Sequence, residues 1–131
     1  MTLVATSVHT LSNVVKHEYG ADFAYCRELV TVNDAAGTLA VGTVLGKITA
    51  TGKYVRAVQT AVDGSAVAAA VVWEAKTIAG STDTQVLCLV RGPSGVSKAG
   101  LVLDATYNLD AEKEIVYASL RALGIQTLTT I

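Results

Sequence analysis

Two cysteines and two histidines are the residues of this chain with the most chemistry to offer. A thiol beside a cation ionises more readily and becomes a nucleophile, and Cys26 stands directly before Arg27. Nucleophilic catalysis also needs a base and an orienting group within reach of that thiol. His9 and His17 are the two imidazoles. Both fall on a stretch with no sustained hydrophobic period, where a reactive geometry is hard to hold. They also lack the carboxylate pattern that accompanies zinc ligands, so they read as facing solvent or a partner. Cys26 and Cys88 lie 62 positions apart, without a CxxC partner or metal-ligand spacing. Cys88 sits inside an apolar run, where a thiol behaves as a small hydrophobe. Packed, reduced cysteines are the expectation, with a disulfide left open as the alternative.

The other chemical patterns are incomplete. Gly46-Lys47 is followed by Ile48, and Val41 stands where a phosphate loop needs its first glycine. Gly52-Lys53 is followed by Tyr54, and the glycines of Gly92-Pro93-Ser94-Gly95 suit turns. Glu112 and Glu114 are two apart on a helix pattern, so they do not face each other for paired acid–base work. Asp63 and Asp83 are loop acids, too few for a calcium loop. The expectation is therefore no catalytic residue, no metal, no cofactor and no enzyme activity.

Composition points the same way. The chain has 131 residues, 51% hydrophobic and only 16% charged, where about 25% charged is usual. Its apolar content is mostly Ala, Val and Leu, with one Phe and one Trp. Small side chains bury little area each and fill a thin core. A thin domain short of solvating charge suits burial against other subunits or a larger surface. The net charge of −1, with no basic run, excludes the electrostatic footprint of a nucleic-acid binder. No secretory signal is visible at the start, and no apolar stretch reaches membrane-spanning length.

The elements that must position any site follow from periodicity. Residues 1–24 carry no sustained period and read as an extended arm, with one short helical turn through Leu11, Val14 and Val15 capped by Ser12. Fully extended, such an arm spans roughly 80 Å. Residues 25–131 read as one β-rich domain. Arg27 to Val32 reads as its first strand, with Leu29 and Val32 apolar. Residues 42–49 and 53–58, joined at Ala50-Thr51-Gly52, read as a hairpin. Residues 66–74 and 84–91 are near-continuous apolar runs, as expected for strands covered on both faces. Gly92-Pro93-Ser94-Gly95 stops the second run. A helix runs from about residue 108 or 110 to 123, capped by Asn108 or Asp110. Ile115, Val116, Ala118, Leu120, Ala122 and Leu123 form its apolar stripe, and Gly124 ends it. Residues 125–131 read as a short extended segment. Tyr19, Phe23 and Tyr25 look like anchors for a partner's pockets, or pack back on the parent domain.

Five pieces stand in one order: Tyr25-Cys26-Arg27-Glu28, the run from Gly42 through Thr49, Gly52-Lys53-Tyr54, Asp63-Gly64-Ser65 and Val90-Arg91-Gly92-Pro93. Together they resemble the head decoration proteins of tailed bacteriophages, the family that includes the lambda decoration protein. The resemblance covers about residues 11–124. It implies a mainly β, β-clip-like small domain with one short C-terminal helix and an extended N-terminal arm. It implies homotrimers at three-fold and quasi-three-fold positions on the outer face of the expanded capsid, assembled in the host cytoplasm. Their function is to cement the head against internal DNA pressure. The partners implied are the major capsid (coat) protein and the chain itself, with no nucleic acid and no membrane. Carried over by position, residues 2–28 become the coat-binding arm, with Leu11, Val14, Val15, Tyr19, Phe23, Tyr25 and Arg27 as contacts. Deleting residues 2–24 is then expected to leave a folded domain that no longer binds capsids.

Two other readings make different demands. A capsid-associated β module binding a host surface or glycan would use loops 59–65 and 79–85, which carry no aromatic platform. A small enzyme would use Cys26.

Overall fold

The described residues, 14–20 and 25–129, of this computed structural model include ten short strands, one full α-helix and a 3-10 turn at Lys98–Gly100. In chain order the strands are β1 (Val15–Glu18), β2 (Arg27–Val32), β3 (Gly37–Leu39), β4 (Val44–Lys47), β5 (Tyr54–Arg56), β6 (Ala68–Val72), β7 (Lys76–Ile78), β8 (Thr84–Leu89), β9 (Ser94–Ser97) and β10 (Ile125–Leu128). The helix, α1, spans Asp110–Ala122 and precedes β10. The fold is thus mainly β with one helix near the C-terminus, as expected.

Five strands close into a barrel in the order β2-β5-β4-β6-β8. β2 pairs antiparallel with β8 from Arg27↔Leu89 to Val32↔Thr84, and β4 and β5 form the anticipated hairpin. A parallel contact at Val32↔Tyr54 shuts the barrel, backed by the Asn33 N–H donating to the Tyr54 carbonyl at 3.1 Å. Side chains alternate across each strand, and one set fills the barrel: Val30, Val32, Leu45, Ala70, Val72, Val86 and Cys88. Leu39 and Ile78, from the β3–β7 pair, complete this core. A five-stranded barrel has room for few and small side chains, which accounts for the Ala and Val content.

The opposite faces of β4, β6 and β8 carry Val44, Val71 and Leu89 into a second core, which Ala68 joins beyond a register shift in the β4–β6 pairing. That core is shared with Val116 and Leu120 of α1, Val96 of β9, Ile125 of β10 and Val14. Strands buried on both faces explain the unbroken apolar runs in sequence. The second layer is completed by a three-stranded sheet, β1-β9-β10, in which β9 pairs antiparallel with β1 and parallel with β10.

Several local readings change. Of the helical turn expected through Leu11, Val14 and Val15, Val14 is helical, Val15 belongs to a strand, β1, and Leu11 lies outside the described residues. Leu29 points outward, 60% exposed, while Val30 and Val32 face the barrel, because residues three apart on a strand lie on opposite faces. The run over residues 84–91 stops before Gly92-Pro93, as expected, and Ser94 and Gly95 open a further strand, β9. At α1 the Glu112 carboxylate performs the capping expected of Asn108 or Asp110. It accepts from the backbone N–H groups of Asn108 and Leu109, each at 3.1 Å. Ile115, expected in the apolar stripe, is 62% exposed. Gly124 ends the helix at φ +91°, and there it packs directly on Gly92, where a Cβ would overlap the Gly124 carbonyl.

Candidate functional site

Of the contact residues expected on the arm, five are described. Leu11 and Phe23 lie outside the described residues. Val14 is fully buried in the second core, and Val15 packs against that core. The segment from 14 to 20 is therefore part of the body. The pairing of β1 with β9 puts it there, and the Tyr19 N–H extends that pairing by donating to the Pro93 carbonyl at 2.8 Å.

Tyr19 and Tyr25 end up side by side. Their rings meet edge to face with centroids 5.8 Å apart, and both remain substantially exposed. Arg91 holds this pair from the end of β8. Its guanidinium lies 5.5 Å from the Tyr25 ring centroid, donates to the Tyr25 carbonyl and pairs with the Glu28 carboxylate at 2.6 Å. Arg27 is held more firmly. Its Nε donates to Glu18 Oε2 at 2.7 Å, and its guanidinium lies 4.4 Å above the Trp73 ring. Beyond it, the outer face of β2 and β8 presents Leu29 opposite Leu87, then Thr31 accepting a hydrogen bond from Gln85 Nε2 at 3.0 Å. Aromatic and Arg side chains on an apolar ground are the composition of contact surfaces.

Sequence reasoning singled out Tyr19, Tyr25 and Arg27 but missed Glu18, Glu28, Trp73, Leu29, Leu87 and Arg91. Glu28 and Arg91 stand in the motifs quoted above, yet only the β2–β8 pairing brings them together. Leu29 was legible as an outward residue from strict alternation with Val30 and Val32.

The candidate nucleophiles are packed away. Cys26 is fully buried, its thiol 3.4 Å from the Tyr19 carbonyl and 3.6 Å from that of Pro93. Burial pushes this thiol above its ordinary range and the Glu18 carboxylate adds to the effect. The hydrogen bond to the Tyr19 backbone, then Arg91 and Arg27, pull the other way without reversing it. Burial pushes the Cys88 thiol up to about 12. Both are free thiols. Neither offers a thiolate at neutral pH. Among the described residues no three His, Cys, Asp or Glu side chains converge as a metal site requires, and no helix is long and apolar enough to cross a membrane. A groove of about 550 Å³ runs beside Lys98, Asp104, Tyr107, Asn108, Lys113 and Tyr117, with no histidine or cysteine in its lining. Loops 59–65 and 79–85 offer Val62, fully exposed, but no aromatic ring on which a sugar could stack.

The described residues combine a small closed barrel, a three-stranded sheet that includes β1, buried thiols and an exposed aromatic–arginine cluster. The chain belongs to the bacteriophage lambda head decoration protein D family, whose profile matches residues 4–125. No curated protein matches it. Membership makes this a decoration component of a phage capsid.

Proposed function

We propose that the chain binds the outer surface of the expanded phage head as a trimer and staples neighbouring coat subunits against internal DNA pressure. The observation that carries this reading is the family match over residues 4–125. The surface supports it: the exposed Tyr19–Tyr25 pair sits where the chain leaves β1, beside Arg91. In this reading residues 1–13, including Leu11, grip the coat, and Phe23, Tyr19 and Tyr25 extend that contact. Val14 and Val15 hold the arm to the body, and Arg27 steadies them. Three arms on one trimer bind together, so avidity exceeds the affinity of any single arm. The low charge of the chain suits a body that loses solvent to neighbours on assembly.

The test is to mix purified protein with expanded, undecorated capsids and image them. Density in threes above the three-fold axes is expected. Deleting residues 2–13 is expected to leave a folded body and abolish that density. Equal occupancy by full-length and truncated protein would remove the arm from the reading, and no density for either would remove the reading itself.

A further inference from the structure

We infer that residues 14–19 form a rigid root that aims the N-terminal arm, a positioning element separate from the surface that grips. The inference rests on the reading that residues 1–13 bind coat, and it concerns how that grip is oriented.

The segment is fastened along its whole length. At its start, Val14 is a plug, fully buried in the second core. Its seat is tight: a Cβ added at Gly42 would come 3.1 Å from Val14 Cγ2 and overlap the Gly100 carbonyl. Along its middle, β1 pairs with β9 at Val15↔Val96, His17↔Gly95 and Glu18↔Ser94. At its end, Glu18 is a pin. Its side chain is only 5% exposed and is held by Arg27 at 2.7 Å, while Arg27 is itself stacked over Trp73. Breaking such a pair strands a desolvated charge, so the two partners hold each other in place. The backbone of Tyr19 is then tied at both polar groups, its N–H to the Pro93 carbonyl and its carbonyl to the Cys26 thiol.

A swinging tether would need none of these contacts. A segment that only spans distance is best left polar and free, and its ordering on a partner costs entropy at each residue. Here that ordering is built into the folded body. The anchor strand β9 is joined on its other edge to β10, which packs with α1. A pull on the arm therefore reaches the second core directly. The consequence is geometric: the root ends at Val14 on a fixed point of the body, which raises the arm's effective concentration at its coat site.

The experiment uses full-length protein and three readouts. First, native hydrogen exchange is measured on the amides of residues 15–19. Protection at least about 100-fold above an unstructured chain is expected, and exchange at the unstructured rate would overturn the inference. Second, a six-residue Gly/Ser insert is placed between Asn13 and Val14, with exchange confirming that β1 keeps its protection. Affinity for expanded capsids is expected to fall at least about tenfold, as the arm's effective concentration drops. Unchanged affinity would overturn the inference. Third, residues 2–13 are deleted. Loss of binding with β1 still protected is the expected result. If the deletion leaves binding intact, the reading of residues 1–13 as the grip fails and the arm-aiming role falls with it, while protected amides still place the root in the body.

Discussion

Replacing Val14 with Ala separates the two roles this residue could have, coat contact or core. Val14 is fully buried. Losing two methyl groups forfeits about 1.6 kcal/mol of transfer free energy, at ~0.8 kcal/mol per carbon. The vacated space, on the order of 50 Å³, adds about 1 kcal/mol at the cavity cost seen in other cores. An edge strand can settle inward slightly, so the loss should fall at roughly 2–3 kcal/mol. At this chain length each kcal/mol shifts the midpoint by about 3–5 °C, so the melting temperature should drop by about 6–15 °C. Val62 is the control, being fully exposed. Val62→Ala should change stability by less than about 0.5 kcal/mol. Differential scanning calorimetry on purified proteins without capsids gives both numbers. A Val14→Ala midpoint within 2 °C of the parent would refute the reasoning and return residue 14 to a free arm. The expected drop means that deleting residues 2–24 strips a core residue and a strand, so truncations meant to spare the body should end at residue 13.

Three further outcomes follow from particular contacts. The Cys88 thiol is raised to about 12 by burial, so the unfolded chain ionises first as pH rises. Its stabilising contribution is complete below pH 9 and lost progressively between about 9 and 12. The melting temperature of the parent should therefore fall more steeply over that range than that of Cys88→Ala; parallel slopes would contradict the burial. Glu112 is held below the usual carboxylate range by the Leu109 backbone N–H, with smaller contributions from the Gln59 side chain and the Asn108 backbone N–H. Its support for α1 is present at neutral pH and lost as pH falls through its lowered value. Glu112→Ala should thus melt lower than the parent at pH 7 and approach it at pH 3. Gly92→Ala forces a Cβ onto the Gly124 carbonyl, backbone against backbone. Overpacking of this kind costs roughly 1–3 kcal/mol, here near the top of that range, read as a lowered denaturant midpoint with an unchanged slope.

The legible parts of this fold are those with a local signal. β2, the β4–β5 hairpin, β6, β8 and α1 each carry alternation, turn glycines or a helical stripe. The strands that sequence reading missed are three or four residues long, too short for any period to emerge. β9 illustrates a second cause. Ser94 and Ser97 are almost fully buried, with the Ser94 hydroxyl donating to the Arg91 carbonyl at 3.2 Å. A hydrophobicity pattern has no means of marking a buried polar strand. Closure of the barrel at Val32↔Tyr54 joins residues far apart in sequence, and no local pattern encodes such a pairing. The site divides the same way. Tyr19 and Tyr25 stood out as large side chains on a polar stretch, while Arg91, which holds Tyr25, is brought there by the register of β8 alone.

Two cores meeting on shared strands give this small body a division of labour. Among the described residues, the barrel interior is filled from β2, β4, β6 and β8, with Leu39 and Ile78 closing it, and takes nothing from residues 14–20. Val14 enters the other core, beside Val96, Val116, Leu120 and Ile125. Residues 14–18 are joined to the second core through β9 and its neighbours, and to the barrel through Glu18 on Arg27 of β2 and through Val44, Ala68, Val71 and Leu89 on its outer face. The ion pairs differ in the same way between the two layers. The bond between Glu18 and Arg27 is short and sheltered, whereas that between Lys53 and Asp83, on the far loops, is open to solvent. Exposed pairs contribute little. In a chain with so few charges, the sheltered pair stands where β1 meets β2 and Trp73.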